Sequence, residues 1–412
     1  MARPTGGMQS SWFRNQLAVT FASFIGFMGF TLVMPFLPLY FRELGLTDTG
    51  EIALWTGFSM GVTPALTAVL APAWGRLADR YGRKIMVERS LFSFVIVMGA
   101  MAFVSEPWHV FALRAVQGLF AGYGALTLTM AAESAPRHRM ADAIGFVQTA
   151  QRLGPALGPV IGGGLAHMVG LRNTFIVASA CYAFAVGLVF ILYKEAPLPS
   201  GEARDARGRV SFRDVLSFEN FIILMAVVFG LQFIDRSFGP VLPLYLDESG
   251  VPAWRVPLVA GLIFSTAAGA AAVGNYVAGR LQSRPARLVL ASSAIVSMAA
   301  SALFALAPPV WAMVAASAIF GLGTGVAMTT AYTEAGKMIP QGAHGTGFGL
   351  LTTASLTGLA LSPVFGGVIG ATSIRAVFVA NAIGLALLAV LVLRQMSAQP
   401  AGPEPGLSRE EG

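Results

Sequence analysis

Among the charged side chains inside the long apolar runs of this 412-residue chain, the clear cases are Arg114, Arg152, Asp235 and Arg236. A charge at the centre of a membrane helix costs about 2.5 to 3.5 kcal/mol on insertion scales, so ionisable groups placed there point to work on protons or solutes. Asp235, in Gln232-Phe233-Ile234-Asp235-Arg236, is the one acid well inside such a run. Burial favours a protonated carboxyl and a neighbouring guanidinium favours an ionised one, so an acid in this setting can exchange a proton as its surroundings change. Asp235 is therefore the first candidate for a proton carrier, with Arg114, Arg152 and Arg236 as candidate coupling partners. The alternative is a permanent ion pair with one of these arginines that fixes helix packing.

A second group lies in a polar interruption, Gly75-Arg76-Leu77-Ala78-Asp79-Arg80-Tyr81-Gly82-Arg83-Lys84. Gly75 lets a helix end approach its neighbour closely, and Gly82 allows a tight reversal. Asp79, among basic residues, can pair with a cation or with a helix N-terminus across an interface, so the segment reads as a conformational latch built on Gly75, Asp79, Arg80, Gly82 and Arg83. The alternative for the basic residues is topology alone. A third group, Gly154-Pro155-Ala156-Leu157-Gly158-Pro159 with Gly162-Gly163, repeats small residues every four positions. Such a face permits close helix approach in lipid, and it is expected to form a seam against which another part of the molecule rocks.

The elements that must carry these residues are membrane helices. The chain is 55% hydrophobic and 11% charged, with mean hydropathy +0.69, where a soluble domain carries about 25% charged residues. Twelve apolar runs can be drawn, at 17–39, 52–73, 85–104, 109–132, 144–168, 174–193, 219–243, 255–278, 288–306, 309–332, 345–370 and 376–393. Each is long enough, at roughly 20 residues, to cross a hydrocarbon core of about 30 Å. The sequence also repeats itself at an offset near 204. Gly75, Arg76, Leu77, Arg80 and Arg83 return as Gly279, Arg280, Leu281, Arg284 and Arg287, and Pro35-Phe36-Leu37-Pro38-Leu39-Tyr40 returns as Pro240-Val241-Leu242-Pro243-Leu244-Tyr245. The expected architecture is an all-α integral membrane protein of two pseudosymmetric six-helix bundles, residues 1–193 and 218–396. A cytoplasmic linker at 194–217 joins them, and a polar tail follows at 397–412, expected to be disordered.

With the N-terminus assigned to the cytoplasm, 19 Lys and Arg fall on that side and 4 on the other (Arg42, Arg172, Arg255, Arg375), which places both termini in the cytoplasm. The net charge of +7 is spread over short loops and tails, so no nucleic-acid stripe is expected. The single Cys181 and four scattered His leave no metal site, and no nucleophile and base pair suggests an enzyme.

The loop Gly75 to Lys84, set between the second and third of twelve runs, resembles the G-x-L-a-D-r-x-G-r-k signature of the major facilitator superfamily. Gly154 to Gly163 is similar to the motif shared by that superfamily's antiporters, and Arg114-Ala115-Val116-Gln117-Gly118 resembles its Arg-x-x-x-Gly pattern implicated in proton coupling. Together with Leu32 to Tyr40, these resemble the twelve-span drug:proton antiporters, MdtG-like branch. The resemblance implies export of amphipathic small molecules from a bacterial inner membrane by a monomer, driven by the proton motive force with no cofactor. It also implies Glu133 as a partner for Arg83. Many relatives carry an acid in the first span, whereas Gly26 to Tyr40 has none.

The substrate cavity is expected between the halves near the midplane. Polar candidates for its lining are Gln117, Tyr123, Gln148, Gln151, Gln232, Asn275 and Tyr276, with Phe27, Phe30, Met34 and Phe238 as apolar walls. Two other readings stay open: a sugar or organic-anion facilitator or symporter, and a transporter-shaped sensor without flux.

Overall fold

The structure is a computed structural model and describes residues 6–136, 139–195, 220–306, 308–339 and 344–396. Most of the 194–217 linker and the whole 397–412 tail lie outside the described residues. Among the described residues every regular element is helical. The first half holds α1 (Gly6–Val33), α2 (Leu37–Glu43), α3 (Thr49–Tyr81), α4 (Arg83–Met101), α5 (Pro107–Phe120), α6 (Tyr123–Ser134), α7 (Met140–Val169) and α8 (Leu171–Leu192). The second holds α9 (Phe221–Arg236), α10 (Leu242–Glu248), α11 (Val256–Arg280), α12 (Ala286–Ala305), α13 (Val310–Met338), α14 (His344–Thr372) and α15 (Ile374–Gln395).

Three pairs, α1 with α2, α5 with α6 and α9 with α10, continue one another across short breaks, so the helices form twelve rods that follow the twelve apolar runs. Nine are long and apolar enough to count as membrane spans by composition among the described residues. The rods that fall short carry the polar content singled out above: α4 opens on Arg83 and Lys84, α7 holds Arg152, and α9 ends at Asp235 and Arg236.

The breaks and turns follow from local chemistry. Pro35 in the α1/α2 break and Pro240 in the α9/α10 break each lack an N–H for the helix ladder. Gly82, at φ 99°, joins α3 to α4 in one residue, and Gly170, at φ 84°, does the same for α7 and α8. A side chain is disfavoured at either φ. Asp48 caps α3, its Oδ1 accepting from the Glu51 N–H at 2.7 Å.

The internal repeat is visible in the packing. The Tyr40 hydroxyl donates to the Met101 carbonyl at 2.5 Å while its ring sits 4.9 Å from Phe175. Tyr245, 205 residues on, donates to the Phe304 carbonyl with its ring 4.7 Å from Phe378. Each tyrosine thus pins the end of a third rod to a sixth.

The halves meet along α3 with α14 and along α7 with α11, and backbone approach at glycine makes both contacts. A side chain at Gly57 would strike the Pro363 carbonyl, and one at Gly367 the Ala53 carbonyl at 2.5 Å. On the other side Gly261 lies against the Pro159 carbonyl and Gly163 against that of Pro257, at 2.5 Å from a built Cβ. The second set is the first displaced by 204 residues. This corrects the expected seam. Gly154, Gly158 and Gly162 pack on α1 of their own half, against Phe24, Met28, Thr31 and Leu32, and Gly358 and Gly366 likewise pack on α9 and the break after it. Successive residues on a helix point 100° apart, so Gly163 turns to the other half where Gly162 cannot.

All four seam helices carry a second glycine 18 residues, five full turns, nearer the end bearing the chain termini: Gly75, Gly145, Gly279 and Gly349. Each therefore shares a face with its seam partner, yet none has an atom of the described residues within 4 Å of its built Cβ. The halves touch at one end and part at the end that carries the termini. At the touching end Arg42 and Asp247 bridge the gap at 2.8 Å, and His167 Nδ1 lies 3.0 Å from the Trp254 carbonyl oxygen.

Candidate functional site: an inter-half cavity open at one end

Between the halves, on the parted side, lies a cavity of about 610 Å³. Arg152 reaches it from α7, Gln232 from α9, Asn275 from α11, Met328, Thr329, Tyr332, Thr333 and Gly336 from α13, and Phe348 and Ser355 from α14. Arg152 is the one charged group among these described lining residues. The Asn275 carboxamide, oriented by its hydrogen-bond network, donates to Thr329 Oγ1 and to the Gly325 carbonyl at 2.9 Å each, and accepts from Arg152 Nη1 at 2.5 Å. Tyr332 and Phe348 lie almost parallel, 4° apart, with ring centroids separated by 6.4 Å. A flat apolar surface beside a fixed cation and several neutral hydrogen-bonding groups suits an amphipathic solute with an acceptor group.

Of the residues expected in this lining, the structure brings Gln232 and Asn275 together, beside Arg152, which the sequence offered as a coupling partner. The rest are elsewhere. Tyr123 is buried between Phe27 and Phe94, with ring centroids 5.4 and 5.8 Å away. Met34 is 2% exposed, and Phe238 packs against Phe304, Phe320 and Phe378. Gln151 donates to the Gly124 carbonyl and Thr127 within the first half. Tyr276 is exposed, with the Arg280 guanidinium 5.0 Å from its ring centre, and Gln148 is exposed one turn from Arg152 but is not among the lining residues. These aromatic groups build the cores of the two bundles. The α13 residues Met328, Thr329 and Tyr332 were missed, although the polar cluster Thr329-Thr330-Ala331-Tyr332-Thr333 within an apolar run was a usable signal.

Arg114 is fully buried in the first half. Its Nε donates to the Ser59 carbonyl at 3.2 Å, it donates to Gln117 Oε1, and its guanidinium lies 5.1 Å from the Phe30 ring centre. Arg114 Nη2, Gln117 Nε2 and Ser59 Oγ have no hydrogen-bond partner among the described residues. About two helical turns later the rod breaks at Ala121 and Gly122, and the carbonyls released there are taken by Trp74 Nε1 on Leu119 at 2.8 Å and Arg89 Nη2 on Phe120 at 3.0 Å. Asp235 pairs with its neighbour Arg236 at 3.2 Å, both side chains partly exposed.

At the end bearing the termini, Arg83 meets Glu133 at 2.9 Å. Glu195, unnoticed in the sequence, reaches back to the start of α4, its Oε1 accepting from the Arg83 N–H at 2.5 Å and the Lys84 N–H at 3.3 Å. Lys84 Nζ donates in turn to the Phe190 and Tyr193 carbonyls at 3.0 and 2.8 Å. Arg80 lies over the Tyr81 ring at 5.3 Å, and the side chain of Asp79 is outside the described set. The loop is thus fastened to the fourth and sixth rods of its own half.

Two repeated helical bundles around a cavity open at one end define a membrane transporter. The sequence profile described as Major Facilitator Superfamily matches residues 19–287 and 256–411. Curated relatives include "Multidrug resistance protein MdtG" of Proteus mirabilis, 32% identical over 67% of this chain and 68% of that protein, and "Multi-drug resistance efflux pump PmrA homolog" of Lactococcus lactis, 32% identical over 66% and 67%. Among solved structures, a bacterial homologue of the human lysosomal transporter Spinster, inward-facing and unoccupied, aligns with TM-score 0.75 at 16% identity over 95% of this chain and 97% of that one. The nucleoside transporter NupG aligns with TM-score 0.72 at 14% identity over 93% and 100%. The chain belongs to the major facilitator superfamily and is a multi-pass membrane protein.

Proposed function

We propose that this chain exports small amphipathic molecules from a bacterial cytoplasm in exchange for protons, working as a monomer by alternating access. The observation that carries the reading is the inter-half cavity, walled by Arg152, Asn275, Tyr332 and Phe348 and lying, among the described residues, on the side where the halves part, toward the end bearing the termini. The excess of basic residues at that end supports a cytoplasmic placement, so the conformation described is inward-facing. The names of the multidrug relatives support drug-like substrates. Protons entering from the outer side would discharge inward, and each elementary charge moved contributes about 2.3 kcal/mol per 100 mV. Asp235, whose Arg236 partner can be exchanged as the halves rock, is the proposed carrier, with Arg114 as a buried charge whose neighbours respond to proton occupancy.

The single cation on the cavity wall favours a second reading of the substrate, an organic anion, within the same fold. The test uses protein in acid-interior proteoliposomes, with lumenal pH followed while cationic, neutral and anionic compounds are added to wild type and Asp235→Asn. Collapse of the gradient by some compounds with wild type but not with Asp235→Asn supports antiport through Asp235. An unchanged variant moves the proton path elsewhere, and silence toward every compound rejects antiport for this panel.

A further inference from the structure

Arg152 extends from α7 of the first half into a cavity whose remaining described walls belong to the second. A long guanidinium on the edge of an open space has many rotamers, and a charge spread over them recognises nothing sharply. Asn275 removes that freedom. Both N–H bonds of its carboxamide are fixed by α13, one to Thr329 Oγ1 and one to the Gly325 carbonyl, so only its oxygen is left to face the cavity, and Arg152 Nη1 donates to it. The carboxamide is itself neutral. It orients the guanidinium without cancelling its charge, and the donors that remain on Arg152 stay available to a solute. A carboxylate here would do the opposite, pairing with Arg152 and filling the place of a ligand.

We infer that Asn275 is a positioning and specificity-determining residue that holds Arg152 as a recognition point for solutes bearing a carboxylate or similar oxyanion beside an apolar body, the body lying against Tyr332 and Phe348. The inference rests on the transport reading for its biological sense. The bond also joins the two halves, so a solute that takes the remaining donors of Arg152 binds beside an inter-half contact on the α7/α11 side of the cavity.

The test compares 1-pyrenebutyrate with its uncharged methyl ester in equilibrium binding to the full-length protein in detergent, with empty micelles as the blank. Wild type should prefer the carboxylate by at least about tenfold, as a charge-assisted bidentate contact implies. Asn275→Leu should bring the ratio close to parity, and Asn275→Asp should push it below parity because the new carboxylate occupies Arg152. A general packing defect would weaken both probes together and leave their ratio intact, so the ratio separates positioning from structure. An unchanged ratio in both variants overturns the inference, as does a wild type that ignores the charge or binds no carboxylate. Lumenal-pH measurements that find no exchange, alongside the expected ratios, would reject the export reading and leave the Asn275 and Arg152 assignment standing.

Discussion

Arg42 and Asp247 occupy the same position in the two repeats, 205 residues apart, and their side chains meet at 2.8 Å across the line where the halves close. Both are partly exposed, so the pair contributes about 0.2 to 1 kcal/mol, a shift of at most about fivefold between conformations. Asp247→Ala should therefore widen the distance distribution between spin labels at Glu43 and Glu248, in a Cys181→Ser background, without abolishing closure. Exchanging the two charges in a double variant should restore the narrow distribution, whereas a purely steric contact would not recover.

The glycine seam should be far less forgiving. Gly261→Leu forces a side chain into the Pro159 carbonyl, and overpacking of this kind costs about 1 to 3 kcal/mol, a population shift of fivefold or more. Gly57→Leu, its counterpart against Pro363, should act alike. The same spin labels report the outcome, which is a longer distance at the Arg42 end.

Gly145 and Gly279 face the open side of the α7/α11 seam on the same surfaces as Gly163 and Gly261. Cysteines placed at both should remain reduced in the conformation described here and form a disulfide when the termini-bearing end closes. Cross-linking followed by gel mobility, with and without an imposed pH gradient, reads this directly, and linkage equally fast in every condition would count against the motion.

Glu195 closes the start of α4 much as a capping side chain does. Glu195→Ala should cost about 0.5 to 2 kcal/mol, seen as a fall of a few degrees or less in thermal unfolding of the purified protein. Glu133→Ala, which removes a partner of Arg83 at 2.9 Å, should lower stability less because its carboxylate is more exposed.

Arg114 carries a charge into a site with no carboxylate beside it among the described residues. Replacing the desolvated ion together with its buried partner removes both polar groups, so the double variant Arg114→Met with Gln117→Leu should unfold at the same or a higher temperature, with a gain of up to about 4 kcal/mol, while losing exchange. Arg114→Lys keeps the charge but not the fork that reaches Ser59 and Gln117, and should retain a part of the exchange. A variant that loses stability and activity together would make Arg114 a packing residue.

Much of the architecture was legible because it is written in quantities that sum along a chain: twelve apolar runs, an offset of 204 and punctuation by Pro35, Pro240 and Gly82. Contacts were less so. The four-residue spacing of Gly154, Gly158 and Gly162 announced a close approach but could not say to which helix, and the partner proved to be α1. One residue further round the turn, Gly163 makes the contact between halves. Similarly, Phe238 and Tyr123 read as solute-facing aromatics and turned out to be core, since an aromatic ring in an apolar run carries no mark of which neighbour it meets. Glu195 was hidden for a different reason: its partners at Arg83 and Lys84 are more than a hundred positions away and are backbone groups, which every residue has.

The inter-half seam has one further property. Where Gly57, Gly163, Gly261 and Gly367 touch, main chain rests on main chain, and the side chains beside them that cross the seam, Val364 against Gly61 and Ser265 accepting from the Val160 N–H, are small, unlike the teeth of gears. A toothed interface must jump between registers and would hold each conformation behind its own barrier. A smooth one behaves as a bearing. It offers little resistance at intermediate angles and no preference of its own, so the direction in which the molecule gapes is decided at its two rims and by whatever occupies the space between them.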